Sequence, residues 1–238
     1  MIEELKKYAM KFDINDPGIS KKYYHSLRVQ KISEEIAKHE KLDKEEYELA
    51  SVIGLLHDFG RFYQWHKYQT FNDLISLDHG DYGASELIDK NLIENFYNKK
   101  ENYQIIYEAI KYHNKYSVPE KVISKKLCNL IRDADKLDII HMFKTKNSII
   151  SDKGKINKRV EEDFMNDRLV DNKNLSSEAD RCLQVLSLIF DLNYEYSFEY
   201  LKAEKIIESI YDQIEDKEKM KKYFEKAEKY IERRCKKC

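Results

Sequence analysis

Only two prolines and six glycines interrupt the 238 residues of this chain. A many-turned sheet fold draws on both types at its turns, glycine for left-handed backbone and proline for its fixed φ. A chain this poor in them is expected to run in long helices joined by few breaks. A short helix over residues 1–16 is expected to stop at Asn15-Asp16-Pro17-Gly18, with Ser20 capping the next. Lys41-Leu42-Asp43-Lys44 ends that second helix, and Asp43, with Glu46 three residues on, fits a capping box for the third. Gly60 reads as the stop of the third helix. Residues 61–78 read as a loop or short turns rich in aromatics (Phe62, Tyr63, Trp65, Tyr68, Phe71), either a lid beside a site or a cover for the core. Helical spacing resumes at His79, again over residues 101–112, and around residue 135 after the turn Val118-Pro119-Glu120. In the last part, residues 145–158 read as an exposed loop or linker and 181–192 as a buried helix. Residues 193–198 read as a break, and 200–214 and 217–238 as amphipathic helices. The expected fold is all-α, with residues 1–144 as one helical domain and 145–238 as a helical extension packed on it.

Several of these helices turn a chemically active side chain inward. His25, Val29, Ile32 and Ile36 fall at i, i+4, i+7 and i+11, which puts the imidazole on an apolar stripe. Tyr47, Ala50, Gly54 and His57 share a face in the third helix, and Ile106, Ala109 or Ile110, and His113 repeat the pattern. Leu127, Ile131, Asp135, Asp138 and Met142 line another face, so a carboxylate stands where a core residue is expected. Burying it is costly unless it is paired or bound to a metal. Imidazole and carboxylate are both good ligands for divalent ions. His57 and Asp58 are adjacent, and neighbouring helical residues point about 100° apart, so a helix end suits their sharing an ion. His39 lies about 21 Å beyond His25 along a continuous helix and cannot join it. His66 and His141 read as ordinary residues, Asp133 is expected to face solvent, and Asp138 to orient the ligand helix or meet substrate.

In this order (His25, then His57-Asp58, then a distant Asp135 within Arg132-Asp133-Ala134-Asp135-Lys136-Leu137-Asp138) the chain resembles the HD-domain metal-dependent phosphohydrolases. His79-Gly80-Asp81-Tyr82-Gly83 and Ala109-Ile110-Lys111-Tyr112-His113 fit the longer form of that family, which carries two extra histidines. The resemblance covers residues 20–142 and implies an HD-domain helical bundle. It implies a divalent metal, Mn, Fe, Co, Ni or Mg, held by His25, His57, Asp58 and Asp135. His79 and His113 would bind a second ion with Asp58 as the bridge, or hydrogen-bond a phosphate beside a single ion. Such a metal polarises a phosphoryl oxygen and activates a water. Arg28, Arg61 and Lys136 are the nearest cations by sequence to stabilise phosphoryl charge, with structural ion pairing as the alternative. The Gly-Tyr-Pro extension of the cyclic-dinucleotide subgroup is absent near His113, as is a Glu-Asp pair like that of the alarmone hydrolases near Asp135.

Charge and cysteine use narrow the rest. Lysine and arginine number 43 against 44 aspartates and glutamates, a balance that argues against non-specific nucleic-acid binding. No apolar run approaches the roughly 20 residues that span a bilayer, and Met1-Ile2-Glu3-Glu4-Leu5-Lys6-Lys7 lacks a signal peptide's apolar segment, so a cytoplasmic protein is expected. Cys128 and Cys182 read as buried thiols. Cys235 and Cys238, flanked by Arg233, Arg234, Lys236 and Lys237, read as a solvated tail rather than a zinc site, since no second pair lies near. The leading expectation is a phosphohydrolase acting on an ester or anhydride of a small phosphorylated molecule, a nucleotide above others. A regulatory module that binds metal and nucleotide without turnover, with the charged helix after Lys217 meeting a partner, is the alternative. A homo-oligomer is left open.

Overall fold

The computed structural model describes residues 1–145 and 150–235. Apart from an isolated bridge between Ile150 and Ile214, no strand occurs among the described residues, and the fold is all-α. The chain forms two compact units, Met1–Asp135 and Lys136–Cys238, and the division falls inside one helix, α7.

The first unit holds α1 (Ile2–Ala9), α2 (Pro17–His39), α3 (Lys44–Leu56), α4 (Phe59–Tyr68), α5 (His79–Asp89), α6 (Tyr103–Tyr112) and the start of α7 (Lys125–Lys144). Asp16, and not Ser20, caps α2. Its carboxylate accepts from the backbone N–H of Gly18 at 2.7 Å and of Ile19 at 3.3 Å. Pro17 explains the earlier start, because a residue with fixed φ and no N–H suits the first helical position. Asp43 caps α3 as expected, accepting from Glu46 N–H at 2.9 Å.

Gly60 does not stop a helix. α3 already ends at His57, Asp58 opens α4, and Gly60 lies within α4. The helix N-terminal to it ends on an apolar run, and the glycine instead permits a crossing. A Cβ on Gly60 would stand 2.3 Å from the His79 carbonyl oxygen and 2.9 Å from Gly83 N. The absence of side chains lets α4 and α5 touch backbone to backbone there. Gly54 does the same for α3 against α2, since a Cβ would lie 2.9 Å from the Gln30 Cα.

The expected loop over residues 61–78 is therefore half helix. Phe62 is fully buried, and Tyr8 stacks on Phe59 at 3.9 Å. Trp65 stacks on Phe71 at 4.6 Å and donates its indole N–H to Asp16 at 2.6 Å, and Tyr63 stacks on Tyr82. These contacts are those of a core cover, and they hold the early part of the segment in place. Ile36, Leu56, Ile106, Ile110 and Ile131 complete the interior, all with no exposed surface. Each such side chain contributes roughly 1.5–3 kcal/mol by leaving water.

The second unit holds the end of α7 with α8 (Lys158–Met165), α9 (Glu178–Ser187), α10 (Glu195–Ala203), α11 (Ile206–Asp212) and α12 (Lys217–Cys235) around Leu183, Ile189, Phe198, Ile210 and Phe224. Residues 151–157 form a loop as expected, with Lys153, Gly154 and Lys155 exposed, but the segment is anchored at its start. Ile150 exchanges backbone hydrogen bonds with Gln213 and Glu215, and Asp152 is buried. Residues 146–149 of that stretch lie outside the described residues. The break expected at 193–198 is shorter, since α10 starts at Glu195, and the run 200–214 divides at Lys205, whose φ of 48° ends the helical path. Cys128 and Cys182 are buried, and burial pushes their thiols up to about 11 and about 12. Cys235 is half-buried, while Cys238 lies outside the described residues. Among the described residues no helix is long and apolar enough to cross a membrane.

Candidate metal centre

Each helix from α2 to α7 delivers one part of a single cluster. His25 comes from the middle of α2, where its apolar spacing turns it inward, and is 2% exposed. His57 ends α3 and Asp58 begins α4, so the reversal between two helices lets adjacent residues face the same space. His79 opens α5, His113 closes α6, and Asp135 stands on α7. All four imidazoles and Asp58 are nearly inaccessible, whereas the Asp135 side chain keeps 18% of its surface.

Asp58 sits between two groups of donors and gives one oxygen to each. Its Oδ2 lies 3.3 Å from His25 Nε2 and 3.5 Å from His57 Nε2. Those two nitrogens are 3.2 Å apart, and Asp135 Oδ1 is 3.1 Å from the first and 3.6 Å from the second. Asp58 Oδ1 lies 3.3 Å from His79 Nε2 and 3.8 Å from His113 Nε2, which are themselves 3.0 Å apart. The sets His25, His57, Asp135 and His57, Asp58, His113 each bring their ligand atoms within 4.8 Å of one another.

Hydrogen bonds at the far side of the rings decide what these nitrogens can do. His57 Nδ1 lies 2.9 Å from the Gly54 carbonyl and His113 Nδ1 2.6 Å from the Ile110 carbonyl, both acceptors, so Nδ1–H donates and Nε2 carries the lone pair. His79 Nδ1 faces the Asp73 carboxylate at 2.7 Å with the same result. His79 and His113 thus aim lone pairs at one another across 3.0 Å beside a carboxylate oxygen, which only a cation or a shared proton between them relieves. For bonds of about 2.1 Å, neighbouring ligands on one ion stand about 3.0 Å apart at right angles and about 3.4 Å at tetrahedral angles. Most of the separations around Asp58, at 3.0–3.3 Å, fall in that range and the others reach 3.8 Å, so each group brings together donors suited to a divalent ion.

Charge follows the same geometry. Burial works against an ionised Asp58, but the Lys22 ammonium and the surrounding imidazoles hold its carboxyl well below the usual range. Burial likewise opposes Asp135, and hydrogen bonds from His25 and His57 hold it well below. Burial lowers His57, yet Asp58 and Asp135 outweigh it and its pKa is raised. His113 lacks that second carboxylate, and burial with His79 and His57 nearby takes it down to about 4.

The remaining expectations fall into place or shift. Arg61 lies 3.5 Å from Asp58 Oδ1 but spends its guanidinium on Asp73 at 2.8 Å, Gln64 and the Phe71 carbonyl. Lys136 directs its ammonium to Asp191 at 2.8 Å, and Arg28 is half-buried on α2 one turn past His25. Asp133, expected in solvent, has no exposed surface, and Asp138 is also buried. His39 pairs with Glu40, His66 packs edge-on to Phe12, and His141 meets the Tyr200 hydroxyl.

Four contributors were missed. Lys22 reaches Asp58 Oδ2 at 2.7 Å, and its position one turn before His25 on the same face was the available signal. Asp73 accepts from His79, Arg61, Gln64 and Asn114, and nothing in its local sequence announces it. Asn114 also donates to Asp78. Arg132, 2% exposed, donates to the carbonyls of Tyr112, His113, Lys115 and Tyr116, and so satisfies the end of α6 that presents His113. Against known proteins, residues 23–140 match the HD domain family. No curated protein and no solved structure matches the chain.

Proposed function

This chain belongs to the HD-domain family, by residues 23–140, and we propose that it is a phosphohydrolase cleaving an ester or anhydride of a small phosphorylated molecule, in the first place a nucleotide. Members of that family are generally metal-dependent phosphohydrolases. One observation carries the reading: a buried carboxylate, Asp58, offers each of its oxygens to a different pair of imidazoles, with Asp135 completing one side. A structural histidine cluster has no need of two carboxylates on mutually facing lone pairs.

His25, His57, Asp58 and Asp135 would hold one divalent ion, and His79 and His113 would share Asp58 with a second. A bound ion supplies Lewis acidity toward a phosphoryl oxygen and toward a water. Gly54 and Ile110 fix the tautomers of His57 and His113 through their carbonyls, so both imidazoles arrive with Nε2 ready to bind. Asp73 does the same for His79 and is itself steadied by Arg61 and Asn114. Substrate would approach from the side of Asp135, Asp73 and Lys22, whose side chains keep 18%, 27% and 16% of their surface while the imidazoles are closed off. The test is elemental analysis of protein purified without added metal, followed by a panel of phosphate esters and nucleotides with each divalent ion. Bound metal and turnover on some member of the panel are expected. Protein that retains no metal and cleaves nothing after metal addition overturns the reading.

A further inference from the structure

Of the cations around the cluster, Lys22 stands apart. Arg61 is held by two carboxylates, an amide and a carbonyl, and Lys136 is held by Asp191. Lys22 makes one ion pair, at 2.7 Å to Asp58 Oδ2, the oxygen that also faces His25 and His57. Its ammonium therefore engages the same carboxylate oxygen that a metal in that group would use. The side chain lies on α2, one turn before His25, and its Nζ stands 5.2 Å from the centre of the Phe71 ring, at the more open side of the cluster.

We propose that Lys22 has two partners in succession: it is the counter-ion of Asp58 while the site is without metal, and a ligand for a phosphoryl oxygen once a metal takes Asp58 Oδ2. The second half rests on the hydrolase reading above; the first does not. An ammonium and a divalent ion compete for one carboxylate oxygen, so each weakens the hold of the other. Lysine suits such an exchange, being a point charge on a flexible four-carbon stem with no fork geometry to satisfy. Displaced from Asp58, the ammonium stays on the face where substrate would enter, and a phosphoryl oxygen is the anion that would meet it there.

The two halves predict shifts of opposite sign in one variant. Lys22→Met keeps the apolar stem beside Phe71 and removes the charge. Titrating Mn²⁺ calorimetrically into metal-stripped wild type and variant should show the variant binding about tenfold tighter, since the competing ammonium is gone. Titrating inorganic phosphate into the Mn²⁺-loaded proteins should show the variant binding at least about tenfold weaker. A residue that only supports the fold would weaken both. If Lys22→Met does not fold, Lys22→Gln, which keeps a donor for Asp58 without the charge, must show the same opposed shifts.

Mn²⁺ affinity that is unchanged or lower in the uncharged variant overturns the competition. Tighter Mn²⁺ with phosphate binding equal to wild type overturns the phosphoryl role, and if the wild type still hydrolyses esters the hydrolase reading survives that result. A loaded wild type that neither binds phosphate nor hydrolyses any ester removes the hydrolase reading and the phosphoryl role together, and the Mn²⁺ shift then judges the first half by itself.

Discussion

The two sides of Asp58 are built differently. On one side His25, His57 and Asp135 stand on α2, α3 and α7, each brought inward by the apolar face of a long helix, and a second carboxylate offsets the burial of the imidazoles. On the other, His79 and His113 open and close short helices and share Asp58 alone, and they are oriented by Asp73, Asn114 and Arg132. The same residue type accordingly titrates in opposite directions, His57 raised and His113 lowered to about 4. The difference teaches that the number of carboxylates, more than the number of imidazoles, sets how readily an imidazole on each side keeps a proton. The side with two carboxylates is expected to bind metal more tightly.

The sharpest way to break that comparison is to remove what both sides share. Asp58→Ala should abolish retained metal on both sides and lower kcat/KM by at least about 10³-fold, read by elemental analysis and turnover together. Full activity in that variant would mean the shared carboxylate is incidental. Asp135→Asn against His113→Ala then separates the sides. The first should lose the tighter ion and about 10²-fold in turnover, the second the weaker ion and less activity. Equal losses in a Mn²⁺ titration would remove the claimed asymmetry.

Asp73→Asn probes the supporting shell. It should weaken metal on the His79 side by about 10- to 100-fold and leave the His25 side intact. The effect that needs no metal at all is in the protonation of metal-stripped protein, followed by histidine NMR. His113 binds its proton less readily folded than unfolded, so it contributes stability that grows as pH rises from about 4 to about 6.5, on the order of 3 kcal/mol over the window. His57, raised, acts with the opposite sign: its contribution is complete below about 6.5 and fades as pH rises through its folded pKa. Two imidazoles titrating together would erase the distinction.

How much of this was legible follows from the range over which each signal acts. His25, His57 and Asp135 were readable because a helix repeats every 3.6 residues and an imidazole or carboxylate on the apolar stripe is conspicuous. Asp43 was readable because a cap acts over three residues. Gly60 was misread because a glycine inside a helix and a glycine ending one look alike locally. What distinguishes them is the backbone of α5 at 2.3 Å, far along the chain. Meanwhile left-handed turns went to residues such as Asn91, Gln69 and Lys205, and of the glycines Gly154 takes a positive φ whereas Gly54, Gly60 and Gly83 stand at helix crossings.

By itself the sequence determined an all-helical chain, the inward faces of the helices that carry His25, His57 and Asp135, and the order of imidazoles and acids along it, since propensity, periodicity and capping are local. Only the tertiary structure decided that Asp58 divides its oxygens between two groups, that Lys22 stands on one of them, and that Asp73 reaches the His79 ring. Those relations join side chains from different helices, and distances of about 3 Å between them arise when the helices pack, which no spacing along one helix encodes.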